Sequence, residues 1–160
     1  MKSLILSLVT IVLMVPAMAS PMVPAKTLLV KFYHSFPCAA NTSWYESKGN
    51  YEVRFEMDNA RCWLGMNRKN GNQEWLIKYY DGSNLDPALN KALQSDYPGT
   101  TISCVTQIDL PSGTYYSVNL KDKKNIYVVM MDADGNTSLR QKFIDAGTDA
   151  QGGGTGKGQL

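Results

Sequence analysis

The chain has 160 residues, 44% of them hydrophobic, enough for one globular domain or two small ones sharing a core. Its 16 Lys and Arg against 14 Asp and Glu leave a net charge of +2, which provides no electrostatic footprint for nucleic acid or anionic lipid. One histidine and three cysteines, with no CxxC pair and no Cys-His cluster, argue against a zinc site.

Residues 1–19 read as a secretory signal peptide. Lys2 is a lone basic residue, an apolar run extends from Leu4 to Val15, and Ala17 and Ala19 are the small residues of a cleavage site before Ser20. The run is broken by Pro16 and is shorter than the ~20 residues needed to cross a bilayer, so cleavage is expected rather than anchoring. No later segment is apolar enough to span, and no cysteine follows the site to carry a lipid. The expected location is periplasmic or secreted, with no membrane span once the signal is removed. In that oxidising setting two of Cys38, Cys62 and Cys104 could pair, in any of three ways; alternatively all three are small free hydrophobes.

Leu28, Leu29, Phe32, Tyr33 and Phe36 recur at three- and four-residue steps and predict a helix over 25–36, stopped by Pro37. Strands are predicted at 42–46, 51–57, 61–67 and 74–80; Tyr51, Val53, Phe55 and Met57 alternate with Glu52, Arg54 and Glu56. Lys48-Gly49-Asn50, Asp58-Asn59 and Asn70-Gly71-Asn72 supply turn chemistry between them.

The same order then begins again. Asp86 is placed as N-cap and Pro87 as first helical residue, Leu85, Leu89, Leu93 and Tyr97 form one stripe, and Pro98 ends the helix. Strands are predicted at 101–108, 115–121, 126–132 and 137–143. Tyr51, Val53 and Phe55 match Tyr116, Val118 and Leu120, and Asn70-Gly71-Asn72 matches Asp134-Gly135-Asn136. Cys62, Leu64 and Met66 are set on Ile126, Val128 and Met130, and Trp75 and Tyr79 on Leu139 and Phe143. The fold class is therefore α+β, a tandem repeat of one helix plus a four-stranded antiparallel meander. The expected organisation is a signal at 1–19, repeats at 20–84 and 85–146, and a Gly-rich disordered tail at 147–160.

Phe36-Pro37, Trp44, Tyr51-x-Val53-x-Phe55, Leu85-x-Pro87, Tyr97-Pro98-Gly99 and Asp132-x-Asp134-Gly135, in that order, resemble the PepSY-like proteins. These are exported bacterial proteins also described as β-lactamase-inhibitor-like, and the resemblance covers roughly residues 27–143. It implies a helix-plus-sheet surface on which a partner enzyme docks, and for PepSY-type domains the restraint of envelope peptidases. It carries over no active-site residue, and the cysteines and the Gly-rich tail depart from the usual pattern.

Nothing in the sequence nominates catalytic residues, a metal site or a cofactor. His34 reads as a surface helical histidine, and Asp58, Asp132 and Asp134 as turn residues. Asp132-x-Asp134-Gly135 echoes the start of a calcium loop but lacks the later oxygen ligands and the distal Glu. The sequons Asn41-Thr42-Ser43 and Asn136-Thr137-Ser138 read as turn and strand residues.

The expected function is non-enzymatic: an exported protein that binds an unidentified envelope or extracellular protein through its sheet face and restrains a hydrolase. A small-molecule or peptide carrier and a carboxylate-dependent enzyme are the alternatives. If Cys62, Leu64, Met66, Ile126, Val128 and Met130 face the helices, as do Trp75, Ile77, Tyr79, Leu139 and Phe143, the other face gathers Trp63, Tyr115, Tyr127, Val129 and Met131. Those five residues are the candidate partner-binding set; otherwise that face is a second core between stacked sheets.

Overall fold

The computed structural model describes residues 20–21, 23–47 and 49–145. The segments read as signal and tail, at 1–19 and 147–160, lie outside the described residues.

Both helices are short and are fixed by their ends. Helix α1 (Lys26–Ser35) buries Leu28 and Phe32, four apart, and closes where the Phe36 N–H donates to Phe32 O at 2.8 Å ahead of Pro37. Helix α2 (Pro87–Asp96) starts on the Asp86 carboxylate, which accepts from the Ala88 and Leu89 N–H groups at 2.7 and 3.4 Å. It ends with Tyr97 N–H on Leu93 O at 2.9 Å, ahead of Pro98. The two stops share one backbone conformation, φ −131 and ψ 67 at Phe36 against φ −127 and ψ 65 at Tyr97.

The strands are β1 (Ser20–Pro21), β2 (Ala40–Ser47), β3 (Asn50–Met57), β4 (Ala60–Asn67) and β5 (Gln73–Tyr80), then β6 (Thr101–Leu110), β7 (Gly113–Lys121), β8 (Asn125–Asp132) and β9 (Thr137–Ile144). They pair in chain order into one nine-stranded antiparallel sheet, so a helix followed by four strands occurs twice in the element order. Tight turns make this possible: Asp58 and Asn59, at φ 52 and 61, carry the two left-handed conformations that a two-residue hairpin requires. Between the halves, β5 pairs with β6 from Leu76↔Asp109 to Tyr80↔Val105.

Paired residues point to the same side of a sheet, so the register assigns faces. Val53↔Leu64↔Leu76 in the first half and Val105↔Val118↔Val129 in the second are all buried, and both helices pack on this side in one core. Phe32 is its centre, with the rings of Phe36, Trp44 and Phe55 at 5.2–5.3 Å. Among the described residues there is one sheet, and no element of it or beside it covers the other face.

Cys62, Leu64 and Met66 face the helices as expected, but the second half is offset from its expected facing by one residue. Val129 is fully buried and Met131 is 2% exposed beneath α2, while Ile126, Val128 and Met130 lie on the open face opposite Lys121, Asn119 and Ser117. The reason is hairpin parity. Phe55 pairs with Cys62 and Leu120 with Tyr127, so Tyr127, not Ile126, is the counterpart of Cys62; in a strand a one-residue slip exchanges the faces.

Strand β5 is corrected in the same way. Trp75, Ile77 and Tyr79 pair with Gly65, Trp63 and Arg61 on the open face, and the helix side belongs to Leu76 and Tyr80. In β9, Phe143 pairs with Ile126 on the open face, and Leu139, though it pairs with Val129 on the helix side, is 50% exposed on this edge strand.

The β5–β6 junction is polar on its helix side. The Tyr80 hydroxyl donates to Gln107 Oε1 at 3.0 Å, Gln107 Nε2 donates to Asp109, and Lys78 Nζ lies 3.4 Å from Asp109 Oδ2. Burial, reinforced by Tyr116 and Asp109, pushes the Tyr80 phenol up to about 12. A raised folded-state value stabilises the fold fully below the unfolded value of about 10 and stops doing so as pH rises to about 12. Thermal melts between pH 9 and 12 should therefore show a falling midpoint in the wild type and a shallower fall in Tyr80→Phe; parallel slopes would contradict this placement.

Candidate functional site

The open face is organised by one cross-strand row. Arg54 of β3 pairs with Trp63 of β4, Trp63 with Ile77 of β5, Ile77 with Ile108 of β6, and Ile108 with Tyr115 of β7. With strands ~4.8 Å apart, Trp63 and Tyr115 stand about 14 Å from each other across the junction of the two halves, bridged by two isoleucines. Trp63 and Tyr115 are the members of the expected set that the structure brings to this face. Tyr127, Val129 and Met131 are not on it: Val129 and Met131 are core, and the Tyr127 ring lies on the helix side, 6.1 Å from that of Tyr97.

The Trp63 end of the row is built from stacked groups. The Arg54 guanidinium sits 5.2 Å from the ring centres of both Tyr45 and Trp63, and Trp75 meets Trp63 edge to face at 5.3 Å. Trp75 lies across Gly65, where a Cβ would fall within the indole, so a residue without a side chain makes the arrangement possible. These neighbours hold Trp63 without hiding it: the ring is half-buried, and its Nε1 has no acceptor among the described residues.

Next to Trp63 is a hollow of about 410 Å³ over the Phe55↔Cys62 pair, walled by Arg54, Glu56, Arg61, Trp63 and Tyr79 with Asn41 at its rim. Glu56 and Arg61 are directly opposed in the sheet, yet the Glu56 carboxylate accepts from Asn41 Nδ2 at 2.7 Å. Asn41 reaches it from a left-handed conformation, φ 53, at the irregular start of β2. The sequence reading missed Asn41, Arg54, Arg61, Trp75, Ile77, Tyr79 and Ile108. The visible signal was β3, whose Glu52, Arg54 and Glu56 mark the open face; counting across the tight Asp58-Asn59 hairpin from them reaches Arg61 and Trp63.

The aspartates considered for acid-base work or calcium sit at hairpin turns. Asp132 accepts from Asn136 Nδ2 and from the Asn136 and Asp134 N–H groups at 2.8–3.0 Å, bonds that hold its carboxyl below the ordinary range. Among the described residues no group of three or more His, Cys, Asp or Glu could hold a metal ion. His34 is exposed at the end of α1. All three cysteines are free: Cys62 in the core, Cys104 half-buried, Cys38 exposed.

No protein-family model matches the chain, and no curated protein matches its sequence. Solved structures do. A BLIP-like protein from Bacteroides fragilis superposes with a TM-score of 0.56 at 17% identity, over 78% of this chain and 88% of that one. A DUF2874 family protein from Bacteroides ovatus gives 0.54 at 18% identity, over 77% and 89%. A Bacteroides eggerthii protein described as a candidate periplasmic protein gives 0.52 at 13% identity, over 81% and 94%. At these identities the likeness is one of fold, and the chain has the BLIP-like fold.

The cysteine environments make an ordered prediction. Burial pushes the Cys62 thiol up, with Lys78 opposing, whereas Cys38 meets solvent. A thiol-reactive dye should label Cys38 first and Cys62 only as fast as the protein opens, and should count three thiols in denaturant. A count of one would establish a disulfide and overturn the free assignment.

Proposed function

We propose that this is a non-enzymatic exported protein that docks another protein on its open sheet face and restrains a hydrolase in the envelope. The observation that carries the reading is the row Arg54–Trp63–Ile77–Ile108–Tyr115. An uncovered antiparallel face normally fills with polar residues, whereas here the middle of five adjacent strands presents indole, aliphatic and phenol groups beside a guanidinium. Tryptophan, tyrosine and arginine dominate the energetics of protein interfaces: the two aromatics bury large areas with little rotamer loss, and arginine adds stacking and bidentate hydrogen bonding. Export rests on the signal-like residues 1–19, and the described likeness of the Bacteroides eggerthii protein agrees with a periplasmic or secreted location.

The PepSY-like affiliation and the origin of the chain as two copies of one unit belong to the same proposal. Supporting the second, each half sets a left-handed glycine against its own helix. A Cβ on Gly71 would meet Leu28 of α1 at 3.3 Å, and one on Gly135 would meet Ala92 of α2 at 3.1 Å.

Affinity capture from envelope extract with the tagged protein, comparing wild type with Trp63→Ser and Tyr115→Ser, tests the docking reading. Trp63→Ser should cost about 1–2 kcal/mol through the lost stacking and Tyr115→Ser less, with both abolishing capture of the specific partner. Tyr127→Ser, on the helix side, should lower stability and leave capture by the folded fraction intact. Undiminished capture by both open-face variants would refute the docking face, and a bound small ligand in place of a partner would favour a carrier.

A further inference from the structure

Resting on the docking reading, we infer that the hollow beside Trp63 receives an acidic side chain, aspartate or glutamate, carried on an exposed loop of the partner protein next to an apolar residue. The argument is one of charge complementarity. Arg54 and Arg61 both border the hollow, and neither forms an ion pair among the described residues. The carboxylate nearest in register, Glu56, is held by Asn41, so the protein's own acid leaves Arg61 unpaired. Two guanidinium groups therefore stand against one engaged carboxylate, on a wall that also carries Trp63 and Tyr79.

The geometry suits a carboxylate rather than a bulkier anion or a cation. The Arg54 guanidinium is held 5.2 Å from the ring centres of Tyr45 and Trp63 and forms no ion pair among the described residues, so its N–H groups remain for a planar acceptor, and a carboxylate accepts such a fork with two oxygens. Arg61 stacks on no ring among the described residues and is exposed, so it can swing over the hollow as the second donor. Trp63 and Tyr79 exclude water from the pair and receive the apolar neighbour of the acid. The acid would thus select and orient the partner, while the row from Trp63 to Tyr115 supplies the buried area.

The test pans a random dodecapeptide phage library on the immobilised wild-type protein and on Trp63→Ser. Peptides enriched on wild type should carry Asp or Glu beside an aromatic or aliphatic residue. Synthetic versions should lose at least tenfold in affinity when the acid is changed to its amide, and when the protein carries Arg61→Gln, which leaves the stacked platform intact. Arg54→Gln should lose as much or more, and salt should weaken binding. Enriched peptides that depend on Trp63 but lack acids, or that ignore Arg61→Gln, would overturn the inference while leaving the docking face standing. No enrichment over Trp63→Ser would overturn both, and a dimer on gel filtration that Trp63→Ser dissociates would assign the face to a second copy of the chain instead.

Discussion

The pairing of β5 with β6 is the contact on which the rest of the architecture depends. Each half alone is a helix on a four-strand meander, too small to bury a sheet face well. Through Leu76↔Asp109 to Tyr80↔Val105 the two meanders become one sheet, and α1 and α2 then share a single face and a single core. The junction accepts a polar patch on its helix side because Lys78, Gln107, Asp109 and Tyr80 satisfy one another there. Hydrogen bonding at that seam substitutes for apolar filling.

The same pairing makes the open face one continuous surface. With both helices on one side, the other side is continuous across the two halves, and the row through Ile77 and Ile108 crosses the seam itself. Neither half alone presents more than one end of it. The Trp63 end is packed between Arg54 and Trp75, which lies over Gly65, whereas Tyr115 stands exposed at the other. A stiff aromatic anchor loses little conformational freedom on binding, which is what a docking surface needs.

Much of this architecture was legible in the residues. Apolar spacing and the aromatic-proline stops place both helices, Asp86 and Pro87 mark the start of α2, and the turn residues place every strand from β2 to β9 to within a few residues. Which side of each strand is buried was legible where polar residues alternate with apolar ones, as in β3, and in β4, where Cys62, Leu64 and Met66 face inward as expected. Strand β8 is apolar on both faces, so composition cannot orient it, and a one-residue misalignment put Val129 and Met131 outside and Ile126, Val128 and Met130 inside. Trp75, Ile77 and Tyr79 were assigned to the core as alternate residues on one strand face, whereas the opposite face, with Leu76 opposite Leu64, occupies it. What cannot be read from sequence is cross-strand registry: that Arg54, Trp63, Ile77, Ile108 and Tyr115 share a row depends on four successive pairings and no local pattern announces it.

Amide hydrogen exchange across the β5–β6 seam tests the single-sheet account most directly. The account predicts that the paired amides of β5 and β6 exchange as slowly as those of β3–β4 and β7–β8, all through the same global opening, because removing the seam exposes the shared core. Fast exchange in β5 and β6 resembling free strand edges, or two halves opening with separate free energies, would contradict it.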